Sequence, residues 1–443
     1  MSHPVQAPPT VASPLDRLAG PAGKRLALVG AGGCGMRGLA RLFLEAGWEV
    51  IGQDARPFAE GDPLLAAGLK PWTPGPAPAV SWVVRSAAVP AAEAHVQAAV
   101  EAGARSLLYA EMLGEISRLR PVLAVAGSHG KTTCSAWIAY GMQLAGREVG
   151  WLVGAEVPQL PASARWGRAE EPLILESCEY ARSFHHLTPA AVALTNIDAE
   201  HPDTYPGGLP EVEEAFAVFL GGTDRDGVVH AGPEAPDMGA ATEARWSPCA
   251  ELSEGVEVGL PGHHNRRNAA LVAAVLQEQG LDEVQVRAAL AGFGGAARRL
   301  ETVGTLDAPR GVTLVSDYAH HPVEVAATLQ AARERWAGRR VVAVFQPHQA
   351  QRFHAYRELF APSLDEADAL LLLEIYRARD PEELRASVEE LVPELEGRRP
   401  DRPLAQVRDF DAGRKLLRSW LREDDVLLAL GAGDVDAFLR ELR

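Results

Sequence analysis

Residues 122–133 read Val-Leu-Ala-Val-Ala-Gly-Ser-His-Gly-Lys-Thr-Thr, and this stretch decides how the rest of the sequence is interpreted. Val122–Ala126 is an apolar run typical of a buried strand, and an alanine-rich helical pattern follows the two threonines. Between them, Gly127 and Gly130 let backbone N–H groups approach an anion at the N-terminus of the helix. The stretch predicts a phosphate-binding loop. A structural turn is the alternative, because Val125 stands where the strict motif has its first glycine.

The side chains of this loop indicate which groups contact the phosphates. Lys131 is expected to contact the β- and γ-phosphates of a nucleotide, and the Thr132 hydroxyl is expected to ligate Mg²⁺. The predicted phosphate-binding residues are Gly127, Ser128, His129, Gly130, Lys131, Thr132 and Thr133.

Short apolar runs alternate with helical stretches from Arg25 onward, which is the pattern of strand–helix units on parallel sheets. Three such blocks can be separated, so the fold class is α/β with three domains. The predicted ranges are a flexible tail over 1–23, a first domain over 24–120, a central domain over 121–298 and a third domain over 299–443. The region 221–262, rich in glycine, proline and acidic residues, is expected to form irregular strands and loops of the central domain.

The overall composition excludes several classes of protein. The 443 residues include 43 Lys and Arg against 59 Asp and Glu, and the formal net charge of −16 argues against a general nucleic-acid binder. No apolar run approaches the ~20 residues of a membrane span, so we expect no membrane insertion. Cys34, Cys134, Cys178 and Cys249 are too dispersed for a metal knuckle or a disulfide scaffold, which favours a reducing cytoplasm.

A second glycine-rich turn, Gly30-Ala31-Gly32-Gly33-Cys34-Gly35, opens the first predicted helix. Asp54 lies about 20 residues further on, where dinucleotide-binding turns carry an acidic residue. The residues alone leave three interpretations open: a close-packed turn without ligand, an NAD site, and a nucleotide-sugar diphosphate at the same helix terminus.

Polar side chains also follow several other predicted strands. Glu176 and His201 each follow a strand of the central domain, and carboxylate oxygens suit Mg²⁺. A solvated acidic loop and a hydrogen-bonded loop histidine are the alternatives. The stretches 317–322 and 346–352 follow strands of the third block, where the loops of an open α/β sheet line the ligand crevice. Adjacent histidines in the first of these stretches make zinc a minor alternative, beside helix capping and packing.

In their order along the chain, these motifs resemble those of the Mur ligase family, and most closely its alanine-adding branch. The resemblance covers the chain from about Arg25 to the C-terminus. It is carried by Gly30 to Gly38 with Met36, Gly127 to Thr133, Glu176 to Phe184, Asn196 to Tyr205, Gly262 to Asn268, Arg298 to Glu301, Asp317 to Glu324, Phe345 to Arg352, and Gly431 to Asp434. It implies an N-terminal Rossmann-like domain for a UDP-sugar, a central P-loop ATPase-type domain and a C-terminal Rossmann-like domain that receives the amino acid.

The resemblance also implies an activity. A ligase of this kind uses ATP and Mg²⁺ to join L-alanine to the lactyl carboxylate of UDP-N-acetylmuramate through an acyl phosphate, in peptidoglycan precursor synthesis. One alternative is a murein-recycling ligase that attaches an intact tripeptide to the same UDP-sugar. Another is a non-catalytic nucleotide-binding regulator descended from a ligase. A dehydrogenase is disfavoured because it would leave the phosphate loop unused, and the oligomeric state stays open.

Individual residues acquire expected roles from the same resemblance. The implied metal ligands are Thr132, Glu176 and His201, and the implied catalytic residues are Lys131, His201, Arg299 and His320, with the base left open between the two histidines. Beyond the phosphate loop, the implied ATP-binding residues are Asn265, Asn268, Arg299 and Asp317. The implied substrate-binding residues are Gly30, Gly32, Gly33, Gly35, Met36, Asp54, Ser86, Tyr318, His320 and Arg352. The departures from the commonest family pattern are Ser177 and Cys178 in place of alanine and aspartate, Glu200 and Ser316 in place of aspartates, and Gln349 in place of an arginine.

Overall fold

The computed structural model describes residues 13–73, 76–378, 380, 384 and 386–443. Three sheets follow one another along this part of the chain, with five, seven and six strands. Most neighbouring strands are parallel and helices connect them, which confirms the predicted three-part α/β fold. None of the described helices combines the length and the apolar character that a membrane crossing requires.

The elements of the first sheet alternate strand and helix. They are β1 Arg25–Val29, α1 Cys34–Glu45, β2 Glu49–Gln53, α2 Pro63–Ala66, β3 Lys70–Pro71, β4 Trp82–Arg85, α3 Ala94–Glu101, β5 Arg105–Leu108 and α4 Tyr109–Ser117. All strands are parallel, in the order β3-β2-β1-β4-β5. The chain therefore reverses direction across the sheet at β1, and the glycine-rich turn after β1 lies at the switch point where open α/β sheets bind ligands.

The segment before β1 differs in part from the predicted flexible tail. Residues 1–12 lie outside the described residues. Pro14–Leu18 forms a 3₁₀ turn whose Leu15 and Leu18 are buried, and the indole N–H of Trp82 donates to the Leu18 carbonyl at 2.6 Å. Two leucines three residues apart lie on one face of such a turn, so burying them fixes the segment against the first sheet.

The central sheet contains the phosphate loop. Its elements are β6 Val122–Ala126, α5 Lys131–Leu144, β7 Gly150–Leu152, β8 Ala164–Arg165, β9 Leu173–Glu176, β10 Ala191–Asn196, α6 Leu209–Gly221, β11 Val228–Glu234, β12 Arg245–Pro248, α7 His263–Glu278 and α8 Glu283–Gly292. The strand order is β12-β11-β10-β6-β9-β7-β8, and only the β7–β8 pair is antiparallel. Because β6 lies between β9 and β10, the loops after these three strands meet at one edge.

The region 221–262 is more regular than the sequence predicted. Two strands, β11 and β12, extend the central sheet in parallel beyond β10. The buried run at the start of β11 supplies the apolar contacts that a strand needs, whereas the glycines and prolines fall mostly in the connections.

The third sheet follows a short linker. Its elements are β13 Glu301–Leu306, β14 Val312–Asp317, α9 Pro322–Arg335, β15 Val341–Phe345, α10 Ala350–Ala355, α11 Arg357–Ser363, β16 Ala369–Leu373, α12 Val392–Arg398, β17 Leu404–Val407, α13 Phe410–Trp420, β18 Val426–Leu430 and α14 Val435–Arg440. The order is β13-β14-β18-β15-β16-β17, with β13 alone antiparallel to its neighbour. The central strands are buried along their whole length, which explains their continuous apolar sequence.

The apolar cores divide the molecule unequally. One buried cluster runs from α1, with Met36 and Leu39, into the central sheet at Ala164 and Trp166. The buried clusters of the third sheet contain only residues from 300 onward. The first two sheets therefore share a core, whereas the third sheet has cores of its own.

Candidate active site

The phosphate loop is fixed by the neighbouring strand β10. The backbone N–H groups of Ser128 and His129 donate to the main-chain and side-chain oxygens of Asn196 at 3.1 and 2.9 Å. The Asp198 N–H donates to Ser128 Oγ at 2.8 Å, and the Ser128 hydroxyl donates to the Asp198 carbonyl at 3.1 Å. The Thr195 hydroxyl donates to the His129 carbonyl at 2.6 Å. The loop is therefore shaped before any ligand arrives.

Both loop glycines are required by their surroundings. Gly127 has φ +135°, and a Cβ there would collide with the Thr195 hydroxyl. Gly130 has φ +81°, and a Cβ there would lie 2.7 Å from Asn268 Oδ1 on α7. Left-handed backbone and close neighbours leave room for glycine alone, so the predicted loop takes the strand–loop–helix form that binds phosphate.

Lys131 is held inside the loop by a buried carboxylate. Its ammonium donates to the carbonyls of Gly127 and Ser128 at 2.6 and 3.0 Å and to Glu179 at about 3.0 Å. Glu179 is fully buried. Burial lowers the pKa of Lys131, but the Glu179 charge more than offsets this and raises it above the ordinary value. Lys131 is therefore a fixed point charge beside the loop.

Thr132 and Glu176 fit the ligand preferences of Mg²⁺. The Thr132 hydroxyl donates to Glu176 Oε1 at 2.9 Å, and Glu176 Oε2 accepts from the Gly154 N–H at 2.8 Å. Metal–oxygen bonds of 2.0–2.1 Å in an octahedron also place adjacent oxygens about 2.9 Å apart. This hydrogen bond therefore holds the two oxygens close enough to become neighbouring ligands of one Mg²⁺ ion.

His201 lies at the same edge, after β10. Its Nε2 is 3.5 Å from Glu179 Oε1, and its ring contacts Tyr180 edge-on at 5.0 Å. Burial lowers the pKa of His201, but hydrogen bonding to Cys178 and Glu179 and the charge of Glu200 raise it to about 9. The imidazole is therefore protonated at neutral pH, and a metal ion would have to displace that proton to bind it.

Two cavities lie on either side of the phosphate loop. One, of about 740 Å³, is lined by the loop together with Asn265 and Asn268 of α7 and Arg299. The other, of about 960 Å³, is lined by the parts of the first, central and third sheets that surround the loop. Its residues include Cys34, Lys131, Thr132, Glu176, His201, Arg299, Tyr318, His320 and Arg352. The structure thus brings most of the predicted site residues to two adjoining cavities.

The linker between the central and third sheets is held by Asp317. Its carboxylate oxygens accept from the backbone N–H groups of Leu300 at 2.6 Å and Ala319 at 2.8 Å. Burial raises the pKa of Asp317. The guanidinium of Arg299 stands over the Tyr318 ring, 5.3 Å from its centroid. Asp317 is therefore already engaged in fixing the linker that carries Arg299.

His320 and His201 differ in protonation. His320 Nδ1 lies 2.9 Å from the Tyr318 carbonyl, so this nitrogen carries the proton and donates it. Burial and the charge of Arg352 lower the pKa of His320 to about 4. At neutral pH, His320 is a neutral imidazole whose Nε2 presents a lone pair.

Arg352 reaches the central sheet from α10. Its NH2 group lies 3.2 Å from Glu200 Oε2, and its NH1 group donates to Gln349 Oε1 at 3.1 Å. The Arg352 and Glu200 side chains are 3% and 4% exposed. Two positions that depart from the family pattern, Glu200 and Gln349, thus contact the same guanidinium.

Known protein families and individual proteins match most of this chain. The family profile described as "Mur ligase family, catalytic domain" matches residues 25–120, and "Mur ligase, glutamate ligase domain" matches residues 298–433. The UDP-N-acetylmuramate–L-alanine ligase of Nitratidesulfovibrio vulgaris is 36% identical over 448 residues, which cover 92% of this chain and 96% of that protein. The chain belongs to the Mur ligase family.

Further relatives of this Mur ligase lead to the same family. The UDP-N-acetylmuramate–L-alanine ligase of Acidithiobacillus ferrooxidans is 34% identical, with coverage of 93% of this chain and 96% of that protein. The structure of UDP-N-acetylmuramate-alanine ligase MurC from Thermotoga maritima aligns with a TM-score of 0.76 at 22% identity, over 94% of this chain and 98% of that one. A murein peptide ligase from Psychrobacter arcticus aligns with a TM-score of 0.69 at 22% identity, over 95% and 98%. The two structures establish the fold.

The first glycine-rich turn of this Mur ligase is stabilised from within. Asp54 Oδ2 accepts from the Gly32 N–H at 2.7 Å, so this carboxylate shapes the turn itself. A Cβ at Gly30 would lie 2.7 Å from Ser86 Oγ, and a Cβ at Gly35 would lie 2.9 Å from the Tyr109 ring and hydroxyl. The turn, Asp54 and Ser86 therefore lie together.

Met36 differs from its predicted place in that surface. It is 3% exposed and its side chain packs in the core shared by the first and central sheets. The reason is its position on α1, where it lies on the same helical face as Leu39 and Ala40, which are also buried. Its side chain therefore supports the turn from behind.

Sequence reasoning missed two acidic residues of the site in this Mur ligase. Glu179 pairs with Lys131, and Glu324 lies 3.3 Å from His129 Nδ1. Glu179 lies within the motif Glu176 to Phe184, but only the fold shows that it is fully buried against a lysine 48 residues away. The signal for Glu324 was its position three residues after His321, typical of a helix capping box.

Proposed function

We propose that this chain is an ATP-dependent ligase that joins L-alanine to the lactyl carboxylate of UDP-N-acetylmuramate. The observation that carries the proposal is the larger cavity, where Cys34 after β1, Lys131 and Thr132 of the phosphate loop, and His320 and Arg352 of the third sheet line one space. A nucleotide-sugar, ATP and an amino acid each need one of these three surfaces. The two named relatives, at 34% and 36% identity, support the same substrates.

The phosphate loop supplies the binding surface for ATP. The backbone N–H groups at the start of α5 and the Lys131 ammonium would contact the phosphates, Arg299 would add a second cation from the linker, and Asn265 and Asn268 would hold the adenine. The lactyl carboxylate attacks the γ-phosphate to give an acyl phosphate and ADP. Positioning and charge neutralisation by these side chains are the main contributions that phosphoryl transfer requires.

Thr132, Glu176 and His201 would hold Mg²⁺ in this proposal. When bound, Mg²⁺ neutralises charge on the phosphates. Glu179 keeps Lys131 beside the loop, and the protonated state of His201 makes metal binding dependent on pH.

His320 is the histidine we propose as the proton acceptor for the alanine amine. The amine displaces phosphate from the acyl phosphate to form the amide, and it must lose a proton on the way. His320 has an available lone pair at neutral pH, whereas His201 is protonated. Arg352 would hold the alanine carboxylate, because a guanidinium presents a planar fork that matches carboxylate geometry.

The test is an ADP-release assay with UDP-N-acetylmuramate and ATP, in which alanine, glycine, serine and a tripeptide are compared as acceptors. We expect the highest kcat/KM with alanine. Lys131→Met should lower kcat by about 10²–10³-fold, as loss of one transition-state contact does. Lys70→Met is the matched control, because Lys70 is an exposed lysine on the first sheet. Turnover with the tripeptide alone would instead support the murein-recycling alternative, and ADP release that does not depend on Lys131 would contradict the proposed site.

Several narrower statements belong to the same proposal. Predictions that remain are the domain ranges 24–120, 121–298 and 299–443, the cytoplasmic location and the lack of a nucleic-acid partner.

The first glycine-rich turn is proposed to bind the UDP group and not NAD, since the other motifs supply no hydride chemistry. Equilibrium titration with UDP-N-acetylmuramate and with NAD separates these two ligands.

A further inference from the structure

Three side chains of types that bind metals converge beside the phosphate loop. Ligand atoms of His129, Glu200 and His321 all lie within 4.8 Å of one another. They come from three separate elements: the phosphate loop, the loop after β10, and the residue that precedes α9. The cluster therefore spans the contact between the central and third sheets.

The ring nitrogens of His321 are buried without a hydrogen bond within the described part of the chain. The residue is 2% exposed, and neither Nδ1 nor Nε2 has a hydrogen-bond partner there. Burial lowers the pKa of His321, so the imidazole is neutral, which is the form that binds metals. A buried unpaired polar group costs about 1–3 kcal/mol, so its presence calls for a partner.

Carboxylates surround the cluster. Burial lowers the pKa of His129, but its hydrogen bonds to Asp198 and Glu324 raise that pKa to about 10, so the imidazole carries a proton at neutral pH. Glu200 pairs with Arg352 at 3.2 Å. A divalent ion bound to His129 would take the place of that proton among the carboxylates.

His129 has the surroundings of a metal-binding histidine. Its Nε2 lies 3.2 Å from Asp198 Oδ2 and its Nδ1 lies 3.3 Å from Glu324 Oε1. A histidine that binds a metal through one ring nitrogen usually donates the other N–H to a carboxylate. Binding a metal through one nitrogen of His129 would break one of these two contacts and keep the other.

We propose that His129, Glu200 and His321 form a site for a transition-metal ion of the zinc type between the phosphate loop and the third sheet. Two imidazoles and a carboxylate suit Zn²⁺ or Co²⁺, whereas the Thr132–Glu176 pair offers the hard oxygens that Mg²⁺ prefers. A tetrahedral Zn²⁺ site has ligand atoms about 3.3 Å apart, so the cluster needs to close by about 1.5 Å at most. The ion would tie the third sheet to the phosphate loop.

The experiment is a zinc titration of the purified full-length chain after chelator treatment, in competition with a chromophoric chelator. It is carried out in the His201→Asn background, which disables the other donor cluster formed by Cys178, Glu179 and His201. In that background, His321→Asn should weaken Zn²⁺ binding by at least about a hundredfold. His230→Asn is the matched control, because His230 on β11 is also buried with an unpaired ring nitrogen but belongs to neither donor cluster.

Two further measurements keep the proposal falsifiable if one variant folds poorly. In the His201→Asn background, Zn²⁺ should raise the Tm, whereas adding His321→Asn or His129→Asn should abolish this rise. Co²⁺ should give the intense visible absorption of a tetrahedral ion in the His201→Asn protein but not after either further substitution. Equal Zn²⁺ affinity in the His321 and His230 variants would overturn the site, as would a Co²⁺ spectrum of six-coordinate type. These readouts need no substrate, so they are independent of the proposed ligase activity.

Discussion

The buried ion pair of Glu200 and Arg352 gives the sharpest stability prediction. The two side chains are 3.2 Å apart and no more than 4% exposed, and they join the central sheet to the third. Removing one partner of a buried pair leaves an uncompensated charge and costs about 3–5 kcal/mol. Glu200→Gln and Arg352→Met should each destabilise the protein by roughly 3 kcal/mol, and Arg352→Met somewhat more because it also loses the bond to Gln349.

The double variant tests whether the two losses have one cause. Once both charges are gone, no buried ion is left unpaired, so the double variant should be about 2–3 kcal/mol more stable than the sum of the single effects predicts. Equilibrium urea unfolding with chelator present measures all four proteins. The exposed pair Glu283–Arg287 on α8 serves as the control cycle, with an expected coupling of only about 0.3–0.5 kcal/mol. A buried-pair coupling no larger than the control value would refute the reasoning.

The remaining predictions concern ligands and pH. Asp54→Ala should weaken UDP-N-acetylmuramate binding more than ATP binding in calorimetry, since Asp54 shapes the first glycine-rich turn; equal losses would indicate a general structural role. Arg352→Lys should raise the alanine KM about ten- to a hundredfold with little change in the ATP KM, because the charge stays but the fork is lost; a shift in the ATP KM alone would place Arg352 with the nucleotide. The raised pKa of His201, about 9, predicts Mg²⁺ affinity that increases up to about tenfold per pH unit between pH 7 and 9, because metal binding must displace a proton. The same shift stabilises the metal-free fold below pH ~6.5, and this contribution is lost as pH rises through 9. A Mg²⁺ affinity that does not change with pH would remove His201 from the metal site.

The sheets could be predicted because parallel strands buried on both faces leave a strong trace in sequence. Val122–Ala126 was predicted with the bounds that the structure shows. The loops that follow such strands line the ligand crevice, so polar residues there were sound candidates. β11 and β12 lie towards one edge of the central sheet, and their sequences are less continuously apolar. The sequence therefore predicted only irregular strands and loops there.

The partners within the site could not be predicted in the same way. Whether a carboxylate at a strand end faces solvent, a metal or a lysine depends on residues far away in the chain. Asp54 and Asp317 were expected at ligands, and the structure shows their oxygens already accepting from backbone N–H groups. No local pattern separates a carboxylate that shapes a turn from one that binds a ligand.

The internal partners of the two site cations bear on how substrates bind. Lys131 is held by Glu179 and Arg352 by Glu200, so both cations are ordered, and their charges balanced, without phosphate or amino-acid carboxylate. A bound anion must share each cation with an internal carboxylate. Its binding energy is therefore what the new ion pair gains less what the internal ion pair loses. Each cation in turn loses little conformational freedom on binding, because its side chain is already fixed. An anion gains most where it approaches a face of the cation that the internal carboxylate leaves open. The site thus selects a ligand by the geometry of its approach more than by its charge.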